Sequence, residues 1–180
     1  MRFDQWKSLL ACIALTAAHG AVHAINSSSL ELAAGEKVQM VRFGVQWDWE
    51  SRWFQSNGSH IGGYWDLSLA QWRGTQYQNI PGETQHITSV GLTPVFRFQQ
   101  DSKKGFYGEA GIGIHLLSDL YDNDNSHLST RLQFGDEVGI GYVFDNKLDL
   151  GLKLQHFSNG GIKKPNDGVN FAAIRARYAF

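Results

Sequence analysis

Leu148-Asp149-Leu150-Gly151-Leu152-Lys153-Leu154-Gln155-His156-Phe157-Ser158 alternates apolar and polar residues. A strand sends successive side chains to opposite faces. Leu148, Leu150, Leu152 and Leu154 therefore share a face, and the same parity runs on to His156 and then Ser158. A base and a hydroxyl thus end the greasy side of a strand. Asn159-Gly160-Gly161, then Ile162-Lys163-Lys164-Pro165-Asn166-Asp167-Gly168, lead into Val169-Asn170 and a further alternating run.

The same alternation recurs along the chain. Eight segments carry it, at about 28–34, 37–49, 60–73, 85–99, 105–117, 127–144, 147–158 and 169–180. Greasy parities are Val41, Phe43, Val45 and Trp47 in the second; Ile61, Trp65, Leu67 and Leu69 in the third; and Phe106, Ala110, Ile112, Ile114 and Leu116 in the fifth. In the sixth they are Phe134, Val138, Ile140, Tyr142 and Phe144, and in the eighth Ala172, Ile174, Ala176, Tyr178 and Phe180. The fold class that follows is all-β.

A soluble sandwich alternates too, but three details point to an eight-stranded antiparallel transmembrane β-barrel. The polar parities carry charges in mid-strand (Glu109, Glu137, Asp149, Lys153, Arg175), which can pair inside a small barrel filled by side chains. They are also rich in glycine, as a tight interior requires. Aromatics gather near segment ends, among them Trp47, Trp49, Trp53, Trp72, Tyr142 and Tyr178, as an interfacial girdle does. Tyr178-Ala179-Phe180 resembles the aromatic end of bacterial outer-membrane barrels. With an even strand number both termini lie on the periplasmic side. The connections Gly74–Thr84, Ser118–Ser126 and Asn159–Gly168 then face outward, and Asp145-Asn146 makes a tight inner turn.

Composition fits. Charged residues are 18% of the chain, below the roughly 25% of ordinary domains, and mean hydropathy is −0.30. Arg2 and Lys7 precede the apolar run Leu9–Ala18, which is too short to span a bilayer as a helix, and Val22-His23-Ala24 offers a cleavage site. The expected organisation is a signal peptide at 1–24 and one barrel domain at 25–180. Cys12, the single cysteine, falls in the signal, so the mature chain would hold no disulfide and no thiolate site. Net charge is −1, which gives no basis for nucleic-acid binding. Asp122-Asn123-Asp124-Asn125 begins like a calcium loop but lacks the glycine and the closing glutamate. The histidines 60, 86, 115, 127 and 156 show no ligand-type pairing. Neither a metal nor another cofactor is expected.

Residues i and i+2 of a strand are roughly 6.6 Å apart, near enough for His156 to take the Ser158 proton after rotamer adjustment. The same pair also suits a plain strand end at a bilayer boundary. Asn170 opens the strand that must pair with 147–158, and its parity places it beside His156. Asp136 interrupts the apolar parity between Phe134 and Val138, a costly place for a carboxylate unless it is interfacial or used. Asn159-Gly160-Gly161 can turn backbone N–H groups toward a reacting carbonyl, or simply give a flexible loop.

His156-Phe157-Ser158-Asn159 followed by Lys163-Lys164-Pro165-Asn166-Asp167-Gly168 resembles the signature of the outer-membrane lipid A 3-O-deacylases of the PagL type. Trp47-Asp48-Trp49, Gly63-Tyr64-Trp65-Asp66, Thr93-Pro94-Val95-Phe96, Glu109-Ala110-Gly111-Ile112-Gly113 and Phe134-x-Asp136 resemble further blocks of that family, in the same order. The resemblance implies a serine esterase of the bacterial outer membrane with its site on the outer, lipid-facing wall. It implies Ser158 as nucleophile, His156 as general base, an oxyanion hole around Asn159 and Gly161, and Phe134, Asp136 and Asn166 in or near the site. The family's third catalytic residue is often glutamate, whose place falls on Asn170; Asp136 and Asp167 stand as alternatives. The expected partners are lipid A of lipopolysaccharide and the surrounding membrane lipid, and a homodimer is compatible. A structural or adhesion barrel and an outer-membrane phospholipase are the rival readings.

Overall fold

The computed structural model describes residues 24–180, so the expected signal peptide falls almost wholly outside the described residues. The described chain forms eleven strands in sequence. They are β1 (Ser27–Gly35), β2 (Val38–Asp48), β3 (Trp53–Ser56), β4 (Ser59–Gly74), β5 (Gln85–Gln100), β6 (Gly105–Leu117), β7 (Tyr121–Asn123), β8 (Ser126–Leu128), β9 (Leu132–Val143), β10 (Leu148–Ser158) and β11 (Val169–Ala179). The wall runs β1-β2-β4-β5-β6-β9-β10-β11, antiparallel throughout, and β1 closes it by pairing with β11 from Ser27↔Ala179 to Ala34↔Ala172. β3 resumes the line of β2 along the lower part of β4. The expected eight-stranded barrel is therefore observed, closed, with no free sheet edge.

Side-chain parity explains why the sheet closes as it does. Leu32, Val41, Phe43, Leu69, Ile112, Ile140, Leu152, Leu154 and Ile174 all face outward and form an apolar belt. The inner parity is polar and charged. Lys153 Nζ lies 3.0 Å from Glu31 Oε1 and 2.8 Å from Glu137 Oε2. Arg42 joins Glu31 to Asp66, and Arg97 joins Glu109 to Asp149. Charges out of water are tolerated only when paired in this way. Glycine supplies the room: a Cβ on Gly141 would lie 2.1 Å from the Tyr107 hydroxyl, and one on Gly91 2.0 Å from His115 Nδ1.

At the end opposite the termini the interior turns apolar. Trp72, Ile87, Leu117, Tyr121, Leu128, Phe157 and Phe171 form a buried plug. One detail differs from the sequence expectation. Segment 127–144 is broken: 126–128 belongs to β8, which pairs with β7 in a small hairpin above the barrel, and the wall strand starts at Leu132. Three-residue strands are too short to show a period. The expected tight inner turn is present: Asp145 and Asn146 are its central pair, Lys147 N–H closes it on Phe144 O at 3.1 Å, and Lys147 follows in the left-handed region (φ 69°).

Candidate active site

Phe157 anchors the end of β10. It points inward, is 3% exposed, and packs edge-on against Trp72, His115 and Phe171, with ring centroids 4.8, 5.0 and 5.9 Å away. Its neighbours His156 and Ser158 must then point outward, onto the apolar wall. Register fixes what flanks them. His156 is paired with Asp136 on β9 and with Asn170 on β11, and Ser158 is paired with Phe134. Asp136, His156 and Asn170 thus form one outward row across three strands.

His156 Nδ1 lies 2.7 Å from Asn170 Oδ1. An amide oxygen only accepts, so Nδ1 carries the hydrogen and Nε2 holds the lone pair. That is the tautomer a general base needs. Asp167 does not reach this ring; its carboxylate takes the His127 backbone N–H at 2.8 Å. Among the described residues no hydrogen bond yet links His156 to Ser158. Such contacts are commonly loose before substrate binds.

The connection from Asn159 to Gly168 is organised by two asparagines. Asn159 is fully buried: its backbone N–H donates to Asn166 Oδ1 at 2.8 Å, its Nδ2 donates to Lys163 O at 2.7 Å, and its Oδ1 accepts from Gly161 N–H at 2.9 Å. The backbone N–H groups of Asn159 and Gly161 are therefore engaged within the loop. The N–H directed at the candidate nucleophile is that of Gly160, 3.4 Å from Ser158 Oγ. Gly160 (φ 63°) also lies against the Phe134 ring. Gly168 (φ 80°) closes over the imidazole, where a Cβ would come within 2.5 Å of His156 Cε1.

The sequence grouped His156, Ser158, Asn170, Asp136 and Phe134 as candidates, and the strand register sets them side by side. It marked the Asn159-Gly160-Gly161 turn but gave no role to Gly168, which only the positive φ demanded by a return loop could have marked.

An apolar groove of about 580 Å³ opens at the row, between Gly35 and Val138 and alongside Leu154, His156 and Asn170. It continues along the wall, over Ala34 and Ala172 and between Leu152 and Ile174, into a second groove of about 830 Å³. Small side chains on β1 and β11 leave the depression, and longer ones on β9 and β10 wall it. Among the described residues no group of three or more His, Cys, Asp or Glu is placed to hold a metal ion. What the row offers is an oriented base beside a hydroxyl, at the head of a channel fit for an alkyl chain.

Residues 39–179 match the family model described as lipid A 3-O-deacylase (PagL). The chain is 33% identical to the lipid A deacylase PagL of Pseudomonas aeruginosa, over 87% of this chain and 90% of that protein. It is also 33% identical to the lipid A deacylase PagL of Bordetella bronchiseptica, over 67% of each. Among solved structures, the outer membrane enzyme PagL superposes with a TM-score of 0.73 at 27% identity, covering 86% of this chain and 99% of the other.

Proposed function

The chain belongs to the lipid A 3-O-deacylase (PagL) family of outer-membrane β-barrels, and from that premise we propose that it hydrolyses the 3-linked hydroxyacyl ester of lipid A in the outer leaflet. The single observation that carries this reading is the Asp136–His156–Asn170 row, with Ser158 next along β10, on the lipid-facing wall at the head of an alkyl-sized groove.

Ser158 Oγ attacks the ester carbonyl while His156 Nε2 takes its proton. Asn170 Oδ1 holds the Nδ1–H and so keeps Nε2 in the basic form. Charge on the carbonyl oxygen is met by the one backbone N–H of the 159–161 turn that is not engaged within the loop. Gly160 N–H is nearest, and Asn159 and Gly161 shape the turn. The alkoxide leaves with the proton from His156, giving an acyl-serine and the deacylated lipid. Water, deprotonated by His156, then releases the hydroxy fatty acid. The groove over Ala34 and Ala172 takes the acyl chain, and Asp136, beside the base, meets its polar head. Because the site opens sideways, an anchored lipid reaches it by diffusing in the leaflet.

The test is the mass spectrum of lipid A from cells expressing wild type, Ser158→Ala or His156→Ala. Wild type is expected to remove one hydroxyacyl group. Each variant should fall to on the order of one millionth of wild-type turnover and leave lipid A intact. An unchanged lipid A profile with folded wild type in the membrane supports the structural barrel. Loss of phospholipid chains supports the phospholipase.

A further inference from the structure

The outward row at the site does not stop at Asn170. Strands β1 and β11 pair from Ser27↔Ala179 to Ala34↔Ala172, and carrying that register on by two residues sets Glu36 opposite Asn170. The two chains stay together there, since a Cβ on Gly35 would lie 2.2 Å from the Asn170 carbonyl oxygen. Parity agrees, because Ala34 and Glu36 are both exposed on the outer face. Directly opposed residues have Cβ atoms about 5 Å apart, within reach of a glutamate side chain. The row therefore reads Asp136, His156, Asn170, Glu36.

Glu36 and Asn170 together line the groove that holds His156, and also a smaller cavity of about 160 Å³ beside the β7–β8 hairpin. Asp124 lines only the smaller one and Asp136 only the larger, so Glu36 is the acid that stays with Asn170 in both. The turn that carries it is fixed to the barrel: Lys37 O accepts from Thr75 N–H at 2.9 Å and from Asn123 Nδ2–H at 3.2 Å.

The amide of Asn170 needs something to orient it. Its Oδ1 faces His156 Nδ1, but a half-turn would present Nδ2–H instead. The ring would then offer Nδ1 as acceptor, and Nε2 would carry the hydrogen. In that tautomer His156 cannot take the Ser158 proton. Contact with His156 alone does not choose, because either flip makes one good hydrogen bond. A second neighbour that only accepts does choose: it draws Nδ2 to itself and turns Oδ1 to the ring. A carboxylate is such a neighbour. Among the described residues the Asn170 side chain hydrogen-bonds to His156 alone, which leaves Nδ2 to be taken up, and the Glu36 carboxylate is engaged in no ion pair.

We propose that Glu36 is a positioning residue for the reaction: its carboxylate takes the Asn170 Nδ2–H and so fixes the amide with its oxygen on His156. It acts through Asn170 and touches no reacting atom. This rests on the reading of Ser158 and His156 as the reacting pair. Glu36 sets the amide, the amide sets the tautomer, and the tautomer makes the base.

The test compares the mature protein in detergent micelles as wild type, Glu36→Ala, Glu36→Lys and Asp124→Asn. Nitrogen-15 NMR of histidine-labelled protein at alkaline pH reads which ring nitrogen of His156 carries the hydrogen, with His156→Ala assigning its signals. Wild type is expected to hold Nδ1–H. Glu36→Ala should mix the two tautomers and lower kcat on lipid A by about fivefold, the scale of one net hydrogen bond, with KM unchanged. Glu36→Lys, which offers only donors, should make Nε2–H the major form. Asp124→Asn should leave wild-type behaviour in place. In the Asn170→Asp background the partner has no donor to misplace, so Glu36→Ala should cost nothing there. One His156 tautomer throughout the series overturns the proposal, and so does a tautomer that follows Asp124→Asn instead. A loss that persists in the Asn170→Asp background, or that appears in KM alone, overturns it too. If wild type leaves lipid A intact, the deacylase reading fails, and the NMR comparison still decides whether Glu36 orients Asn170.

Discussion

Asn170 is the residue on which the proposed chemistry turns. An amide oxygen 2.7 Å from His156 Nδ1 selects the tautomer a base needs, but it carries no charge to balance the imidazolium that the proposed attack by Ser158 forms. Replacement by Asp keeps the acceptor and adds the charge, so Asn170→Asp is expected to raise kcat on lipid A by about tenfold, equivalent to ~1.4 kcal/mol of transition-state stabilisation. Asn170→Ala should lower it by a similar factor, because the ring then loses its orienting partner. Steady-state kinetics on the two variants check this. A carboxylate that left kcat unchanged would mean that Asp136, on the other flank of His156, already supplies the balance. The register that makes Asn170 a neighbour of His156 was legible in the sequence, because two alternating runs joined by one loop must pair. The tautomer was not legible, since it depends on which amide atom faces the ring.

At the scale of elements, the loop 159–168 is set by contacts that no alternation encodes. Gly168 adopts φ 80° and lies on the His156 ring, so Gly168→Ala adds both backbone strain and a Cβ 2.5 Å from Cε1. Displacing the imidazole by the order of an ångström is expected to cut kcat by roughly 100-fold, with the barrel's circular dichroism unchanged. The β7–β8 hairpin that straps this loop was read as loop and strand start, because runs of three residues carry no period. The break between β2 and β3 was hidden as well: Trp49 folds over Gly63, where a Cβ would come within 2.4 Å of its ring, and strand pairing resumes at Trp53. The long strands were legible because both of their faces are constrained, one by lipid and one by a crowded polar interior.

For the whole molecule, the barrel is an inside-out protein whose interior must cancel its own charge. Lys153 sits between Glu31 and Glu137; Glu31 keeps Arg42, but removing Lys153 leaves the Glu137 carboxylate without its cation out of water. Lys153→Met is expected to destabilise the barrel by about 3–5 kcal/mol, and pairing it with Glu137→Leu should recover part of the loss. Urea unfolding in lipid vesicles, followed by tryptophan fluorescence, reads both. The mid-strand charges Glu109, Glu137, Asp149, Lys153 and Arg175 pointed to this interior from the sequence, although their partners were unknown. Around that core runs the apolar belt that faces the membrane, and the candidate site lies on the same outward face.

The most direct measurement uses purified protein and a glucosamine phosphate bearing one amide-linked and one ester-linked 3-hydroxyacyl chain, with released fatty acid quantified by mass. Wild type should release one 3-hydroxy fatty acid per molecule from the ester and leave the amide intact, and Ser158→Ala should release none. Equal release by Ser158→Ala, or no release by a folded wild type that hydrolyses phospholipid under the same conditions, would contradict the assignment.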